Sequence, residues 1–277
     1  MKKFFAVIMA LAITLSLCAC GGGGEKAESR LEQIKDRGYI EVCTEPYFAP
    51  MEFIDATKEG AEQYVGMDIE IAKYIADKLG VELRIVPLEF SAVLTGITAG
   101  KYDLALSALA YSPSRAESMN MSVSYYNDES IGYGFLVRQE DAGKYNSIED
   151  LKDAVIVTQS GSVQKAIVDE QVPDRKELKL VSSMTDGFLS VKEGKADVCI
   201  CETGSAGLYA EANGGLTVPE FKFVVDPEMT GTCVGIPLGE DELTEFVNSC
   251  IEELNASGKT AEWYEEYSDY ARTLGID

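Results

Sequence analysis

Two oppositely charged side chains and one helix start are the features of this sequence that could hold a small zwitterion. Arg115 follows the third predicted strand, and Glu202 follows a strand in the second half of the chain. Ser162 begins a predicted helix directly after Ser160 and Gly161. A guanidinium group binds a carboxylate through two parallel hydrogen bonds, a helix N-terminus adds N–H donors, and a carboxylate accepts an ammonium group. This set of groups suits a free α-amino acid.

The remaining candidate site residues lie where predicted strands end, which is where parallel α/β sheets bind ligands. Aromatic rings at these positions could hold the apolar stem of a ligand. The candidates are Glu45 and Phe48 after the first strand, Phe90 after the second, Ser107 and Leu109 in the stretch that leads to Arg115, and Gly161 beside Ser162. We assign no catalytic residue and no metal ligand.

Charge and composition exclude several classes of function. The 277 residues include 24 Lys and Arg, 47 Asp and Glu and no His, which gives a formal net charge of −23. Without His the chain has no Ser-His-Asp or Cys-His catalytic pair and no HExxH zinc helix. So acidic a surface repels nucleic acid. The hydrophobic fraction of 46% is that of a folded protein with one large or two medium domains, and no cofactor is expected.

The N-terminus has the pattern of an export signal. Two lysines precede an apolar run from Phe4 to Leu17, which is shorter than the ~20 residues of a spanning helix. The sequence Leu17-Cys18-Ala19-Cys20 resembles a bacterial lipoprotein signal, so we expect residues 1–19 to be removed, Cys20 to be lipidated, and residues 20–30 to form a flexible tether. A plain signal peptide is the alternative. We therefore predict an exported protein that its lipid holds at the outer face of the cytoplasmic membrane.

Strands and helices that must position the site alternate in both halves of the chain. Asp68 is a candidate cap for the first of these helices. The predicted strands are 39–44, 82–86, 103–107, 154–158, 178–181 and 197–201, and the predicted helices are 66–80, 91–99, 162–169 and 184–191. Each half is thus a βαβαβ unit, which predicts an α/β lobe with a mainly parallel sheet flanked by helices.

A cleft between the two lobes follows from this repetition. After residue 232, a strand at 233–236 precedes two terminal helices, 240–255 and 260–274, which we expect to return to the first lobe. We therefore assign 31–127 plus 233–277 to lobe 1 and 128–232 to lobe 2. Five cysteines remain after the predicted processing, and the sequence leaves their disulfide state open.

Several motifs occur in a specific order and spacing over nearly the whole chain from Leu31. They are Phe48-Ala49-Pro50-Met51-Glu52-Phe53, Val65-Gly66-Met67-Asp68-Ile69-Glu70-Ile71-Ala72, Gly100-Lys101-Tyr102-Asp103-Leu104-Ala105-Leu106-Ser107, Ser112-Pro113-Ser114-Arg115, Gln159-Ser160-Gly161-Ser162 and Gly194-Lys195-Ala196-Asp197. Together they resemble the bacterial extracellular solute-binding proteins of family 3, the amino-acid receptors of ABC importers. The resemblance implies a two-lobed, periplasmic-binding-protein-like (type II) Venus-flytrap fold that closes on its ligand. It also implies a monomer whose partners are a free amino acid, a permease and its ATPase, with membrane contact only through the lipid.

Residue roles also follow from the resemblance. Arg115 matches the arginine that holds the ligand carboxylate, Glu202 matches the acid that takes the amino group, and Ser162 matches the start of the anion-binding helix. Phe48 and Phe90 match aromatic positions that flank the ligand side chain, and a phenylalanine at both is similar to glutamine-binding members. The implied function is a binding lipoprotein that delivers a free, polar α-amino acid to a permease.

Other positions refine or depart from the family pattern. Glu45 matches a position where polar or basic ligands often find an acid. Ala110 and Val163 stand where the family commonly has a hydroxyl residue, so backbone N–H groups and Ser162 must suffice for the carboxylate. Met51 replaces an aromatic residue, and the acid at 202 is one methylene longer than the more frequent Asp.

Two other functions stay open at this stage. Cyclohexadienyl dehydratases resemble this fold and place a carboxylic acid in the same cleft, where Glu202 would be a general acid. A ligand-sensing receptor ectodomain is the third possibility. It is disfavoured because the sequence continues to Asp277 without a transmembrane segment or a kinase.

Overall fold

A computed structural model of the chain describes residues 28–127 and 132–275. The predicted signal peptide, the lipidation site at Cys20 and most of the predicted tether lie outside the described residues. Within the part that is described, no helix combines the length and the apolar character that crossing a bilayer requires.

The described residues form thirteen strands and nine α-helices. The strands are β1 (Tyr39–Thr44), β2 (Tyr47–Phe48), β3 (Glu52–Ile54), β4 (Tyr64–Val65), β5 (Glu82–Pro87), β6 (Leu104–Ala110), β7 (Met119–Met121), β8 (Tyr133–Arg138), β9 (Val155–Gln159), β10 (Glu177–Val181), β11 (Val198–Glu202), β12 (Leu216–Thr217) and β13 (Thr232–Pro237). The helices are α1 (Arg30–Arg37), α2 (Met67–Leu79), α3 (Phe90–Thr98), α4 (Pro113–Ala116), α5 (Val163–Gln171), α6 (Met184–Lys192), α7 (Thr203–Asn213), α8 (Asp241–Ser257) and α9 (Lys259–Leu274).

Two five-stranded sheets define two lobes. The sheet of the first lobe has the order β5-β1-β6-β13-β7, and the sheet of the second has the order β10-β9-β11-β8-β12. The first three strands of each sheet are parallel, and the last two pair antiparallel. The two α/β lobes confirm the predicted fold class. Each sheet also contains antiparallel pairs, because β8 and β13 follow the passages between lobes and return without a βαβ crossover.

The chain passes between the lobes twice, and the two passages lie side by side. Tyr126 and Thr232 form an antiparallel bridge, and the backbone N–H of Tyr125 donates to the carbonyl of Thr232 at 2.9 Å. A pair of short, hydrogen-bonded strands is a common form of hinge, since few residues absorb the rotation. The boundaries 31–127, 233–277 and 128–232 stay a prediction.

The start of α2 shows how local sequence positions the site. Gly66 precedes this helix with a φ of 126°, and a Cβ atom at this position would lie only 2.2 Å from the carbonyl oxygen of Met51. Only glycine fits there. Asp68 is not the cap that the sequence predicted: its carboxylate is buried and accepts hydrogen bonds from the Ala108 N–H at 2.9 Å and the Tyr125 hydroxyl at 2.8 Å. Thus α2 is tied to β6 beside the cleft.

The terminal helices pack on the first lobe, as the sequence predicted. Leu243, Val247 and Ile251 of α8 share one buried cluster with Ile40 of β1 and Leu104 of β6. All five cysteines of the described residues are buried free thiols. They therefore act here as small core side chains.

Candidate functional site

A cavity lies between the two lobes. Seven of the nine predicted ligand-binding residues line it: Glu45, Phe48, Phe90, Ser107, Arg115, Ser162 and Glu202. Residues that sequence reasoning did not place there include Glu52, Tyr126, Tyr133, Gln159, Gln164 and Tyr264. The lining combines aromatic rings with a few charged groups, which is typical of small-molecule sites.

Arg115 is the cation of this cavity. It lies in α4, a short helix that begins with the N-cap Ser112 and a proline at its first position. The buried guanidinium donates to the carbonyl of Ala110 at 2.7 Å and, across the cleft, to the carbonyl of Gly161 at 3.3 Å. It also lies 5.6 Å from the centre of the Phe90 ring. Burial lowers the pKa of Arg115, but the group stays charged near neutral pH, and its remaining donors are suited to a carboxylate.

Glu202 ends β11 and caps α7 with its side chain. Its carboxylate accepts from the N–H groups of Gly204 at 2.7 Å and Ser205 at 2.9 Å, and from the Ser205 hydroxyl at 2.8 Å. Burial raises the pKa of Glu202, while these three hydrogen bonds act in the opposite direction. Burial and the nearby Glu202 charge raise the pKa of Tyr133 to about 12. The three hydrogen bonds stabilise the anionic form of Glu202, and the Tyr133 phenol stays neutral near neutral pH.

Ser162 is the N-cap of α5, as predicted. Its hydroxyl accepts from the Lys165 N–H at 3.1 Å and donates to the Gln159 carbonyl at 2.7 Å. Val163 and Gln164, the first two residues of the helix, line the cavity. The helix dipole therefore favours an anionic ligand group at this end, with Arg115 nearby.

Leu109 and Gly161 differ from the other predicted site residues because neither lines the cavity. The Leu109 side chain is fully buried in the first-lobe core with Cys43, Phe90 and Val93. Its side chain packs in this core although Ser107, Ala108 and Ala110 of the same strand line the cavity. Gly161 contributes its carbonyl to Arg115, and a Cβ atom there would lie 3.1 Å from the Leu94 side chain of the opposite lobe.

Buried acidic residues occupy the first-lobe side of the cavity. Ser107 connects two of them: its hydroxyl accepts from the Glu45 N–H at 3.0 Å and donates to Oε1 of Glu52 at 3.2 Å. Asp68 lies on the far side of Glu52, within reach of its carboxyl group. Burial, then the charges of Asp68 and Glu45, raise the pKa of Glu52 well above its usual value, and burial raises that of Asp68 to about 6. A hydrogen bond between the two carboxyl groups contributes to raising the pKa of Glu52 and acts to lower that of Asp68.

Tyr126 and Tyr264 form an aromatic wall that the sequence analysis missed. The two rings stack with centroids 4.3 Å apart and planes 15° apart. Tyr126 lies at the passage between the lobes, whereas Tyr264 belongs to α9 near the C-terminus. Only the return of α9 to the first lobe brings these rings together, and no local pattern signals it.

Direct contacts across the cleft show that the lobes are closed on each other. The Thr185 hydroxyl of the second lobe donates to the Tyr47 carbonyl of the first at 3.0 Å. Arg272 of α9 and Glu211 of α7 form an ion pair at 3.5 Å. Among residues 28–127 and 132–275, no set of three or more acidic or thiol side chains is arranged to hold a metal ion.

Comparisons with known proteins agree on one family. The model of the bacterial extracellular solute-binding proteins, family 3, matches residues 40–270. The arginine-binding extracellular protein ArtP of Bacillus subtilis is 27% identical over 263 residues, covering 94% of this chain and 95% of ArtP. An amino-acid ABC transporter substrate-binding protein of Streptococcus pneumoniae bound to L-arginine is 32% identical, with a TM-score of 0.80 over 87% of this chain and 98% of that one. The ancestral amino-acid-binding protein AncCDT-1, a precursor of cyclohexadienyl dehydratase, is 26% identical, with a TM-score of 0.76 over 86% of this chain and 98% of that one. This chain belongs to the bacterial extracellular solute-binding proteins, family 3.

Proposed function

We propose that this protein binds a free α-amino acid between its lobes and delivers it to the permease of an ABC importer. In this proposal Arg115 and the start of α5 hold the α-carboxylate, and Glu202 takes the α-ammonium group. The observation that carries it is the presence of Arg115 from the first lobe and Glu202 from the second in one cavity. Opposite charges on opposite walls fit the two ends of a zwitterion.

We propose L-arginine as the first ligand to test. Two relatives are described as arginine-binding or as bound to L-arginine. In this chain the cavity also carries Glu45, a buried acid without a basic partner, and the aromatic faces of Phe48 and Phe90. A delocalised guanidinium group pairs with a carboxylate and stacks well on aromatic rings.

The contacts are strong enough for such a role. Charge-assisted hydrogen bonds contribute ~1.5–3 kcal/mol each. Arg115, Glu202 and the helix donors together offset the loss of ligand freedom and reach the roughly −8 kcal/mol of a micromolar binder.

Closure transmits occupancy to the transporter in this proposal. A ligand that contacts both lobes binds the closed form more tightly than the open form, so it shifts the hinge equilibrium by that difference. The permease then distinguishes loaded from empty protein by the relative position of the lobes.

The lipid anchor on Cys20 is part of the proposal. It predicts that the wild-type protein fractionates with membranes and that Cys20→Ser releases the mature protein in soluble form. A Cys20→Ser protein that stays with the membrane would contradict lipidation at this site.

An enzyme function is the second candidate because the likeness to AncCDT-1 connects this fold to a dehydratase lineage. Glu202 would have to donate a proton, and burial does raise its pKa. However, the three hydrogen bonds that its carboxylate accepts stabilise the anion, so a binding role is favoured. Incubation with prephenate or arogenate tests this directly: product formation at a useful rate would replace the transport proposal.

The binding proposal is tested by thermal unfolding with each of the twenty amino acids. A ligand at a hundred times its Kd stabilises the folded state by about 2.7 kcal/mol, which raises Tm measurably. We expect L-arginine to give a clear rise and agmatine, which lacks the α-carboxylate, to give little. No rise with any amino acid would overturn the proposal.

A further inference from the structure

Glu45 lies at the end of β1 with a carboxyl oxygen that nothing satisfies. The residue is 2% exposed, and its Oε1 atom accepts no hydrogen bond from any residue that the structure describes. No described Lys or Arg side chain offsets its charge. An unpaired carboxylate is unfavourable in such a place, so either a proton or a cation supplied by the ligand must neutralise it.

The elements packed around Glu45 offer it no positive charge. Burial is the main cause that raises the pKa of Glu45 to about 8, and Asp186 adds to it, whereas the Gln159 amide acts in the opposite direction. The groups that surround it are Ser107 of β6, Glu52 of β3, Gln159 of β9 and Asp186 of α6. Asp68 of α2 lies beyond Glu52, and the other charged groups of the cavity are Arg115 and Glu202.

The neighbouring acids Glu52 and Asp68 do not need a cationic ligand to neutralise them. Oε2 of Glu52 is buried without a donor, but the carboxyl group of Asp68 lies within its reach. A proton on Glu52 satisfies both groups, since the protonated oxygen then donates to the Asp68 carboxylate. This proton is enclosed between them, so Glu45 is the acid that is left to respond to the ligand.

We propose that Glu45 selects between two kinds of ligand side chain through its own protonation. Ionised Glu45 accepts hydrogen bonds from a cationic side chain such as the guanidinium group of arginine. Protonated Glu45 donates to a neutral carbonyl such as the carboxamide of glutamine. The inference rests on the proposed function, because it assumes that Arg115 and Glu202 hold the α-groups of both ligands.

A proton balance follows from this selection. Below pH 8, arginine binds only after Glu45 loses its proton to solvent, so each arginine bound releases about one proton and glutamine releases none. Arginine affinity relative to glutamine therefore rises with pH, by up to about tenfold per unit. Above the pKa of Glu45, arginine binding releases no proton but glutamine binding takes one up, so the ratio continues to rise with pH.

The experiment is titration calorimetry of both ligands at about pH 6, 7 and 8, in buffers of different ionisation enthalpy. Glutamine has the same α-groups as arginine, so the ratio of their Kd values cancels any titration of Glu202. We expect this ratio to change by at least about tenfold over the range, with buffer-dependent heats for arginine alone. Glu45→Gln should keep glutamine binding but lose the pH dependence of the Kd ratio and the buffer-dependent heat of arginine binding. Glu62→Gln, on the exposed surface, is the control and should match the wild type.

Two outcomes of this experiment would contradict the inference. A Kd ratio that is constant with pH, or one that changes equally in Glu45→Gln, would show that Glu45 is not the selector. Either result leaves the amino-acid-binding proposal intact. If neither ligand binds at any pH and no other amino acid does, both proposals fail.

Discussion

The Arg115 guanidinium joins the two lobes: Nη1 donates to Ala110 in its own lobe at 2.7 Å, and Nη2 donates to the Gly161 carbonyl of the opposite lobe at 3.3 Å. The same planar group is the proposed partner of the ligand carboxylate. Five N–H donors allow it to do both. In the proposed complex, ligand binding and lobe closure therefore depend on the same side chain.

Replacing Arg115 should remove amino-acid binding. Arg115→Ala loses two or more charge-assisted hydrogen bonds, so we expect Kd to rise by about 100-fold or more. Arg115→Lys keeps the charge without the planar fork and should give an intermediate loss. The unliganded Tm should change little, because the lost hydrogen bonds are offset by removal of a buried charge. Calorimetry and thermal unfolding with L-arginine measure this, and an undiminished ligand shift in Arg115→Ala would disprove the carboxylate assignment.

Glu202 should affect both binding and stability. In Glu202→Gln the amide keeps one acceptor oxygen, so part of the α7 cap is lost at about 1 kcal/mol, and ligand affinity falls by about 10- to 100-fold. Ser29→Ala removes the N-cap of α1, whose capping box lies far from the cavity, and should give a similar loss of stability with normal binding. Denaturant unfolding and calorimetry separate the two effects. Equal affinities for the Glu202→Gln variant and the wild type would exclude Glu202 as the ammonium site.

Ala108 should respond to substitution through its backbone. It is the one non-glycine residue of the described part with a positive φ, at 46°, and its N–H donates to Asp68 beside the cavity. Ala108→Gly should raise the free energy of unfolding by up to about 1 kcal/mol, whereas Ala108→Val should lower it by more than about 1 kcal/mol. Urea unfolding measures both. A destabilised glycine variant would mean that the left-handed conformation carries no strain.

Stability without ligand should fall as pH rises from about 5 to 8. Folding raises the pKa of Glu45 to about 8 and that of Asp68 to about 6, so in this window the folded state binds more protons than the unfolded state. Folding lowers the pKa of other acids, such as Glu82 and Asp150. The stability that these acids add is lost only at lower pH. Thermal unfolding across this range tests the sign. Glu45→Gln should flatten the curve, and a wild-type Tm that climbs toward pH 8 would contradict it.

Sequence periodicity was sufficient for the repeated elements of the two lobes. Helix α2 was predicted at 66–80 and is Met67–Leu79, and the strand at 178–181 is Glu177–Val181. These segments combine a clear hydrophobic period with glycine or capping residues at their ends. Helix α7 was missed because its apolar side chains follow no single face, so only its packing on β8 and β11 defines it.

Prediction of the site was good where a residue follows a strand and poor where distant segments meet. Arg115 and Glu202 were found because charged residues at strand ends are conspicuous. The pairing of Glu52 with Asp68 depends on how α2 packs against β3, and the Tyr126–Tyr264 wall depends on the return of α9. Leu109 was misjudged because its side chain packs in the first-lobe core, which the pattern of the strand alone did not distinguish from the cleft.

Helix α9 supplies Tyr264 to the cavity and Arg272 to the contact with α7. Its sixteen residues follow every other helix and strand of the described part in sequence order. A chain truncated before α9 would therefore lose one wall of the cavity and one tie between the lobes at the same time.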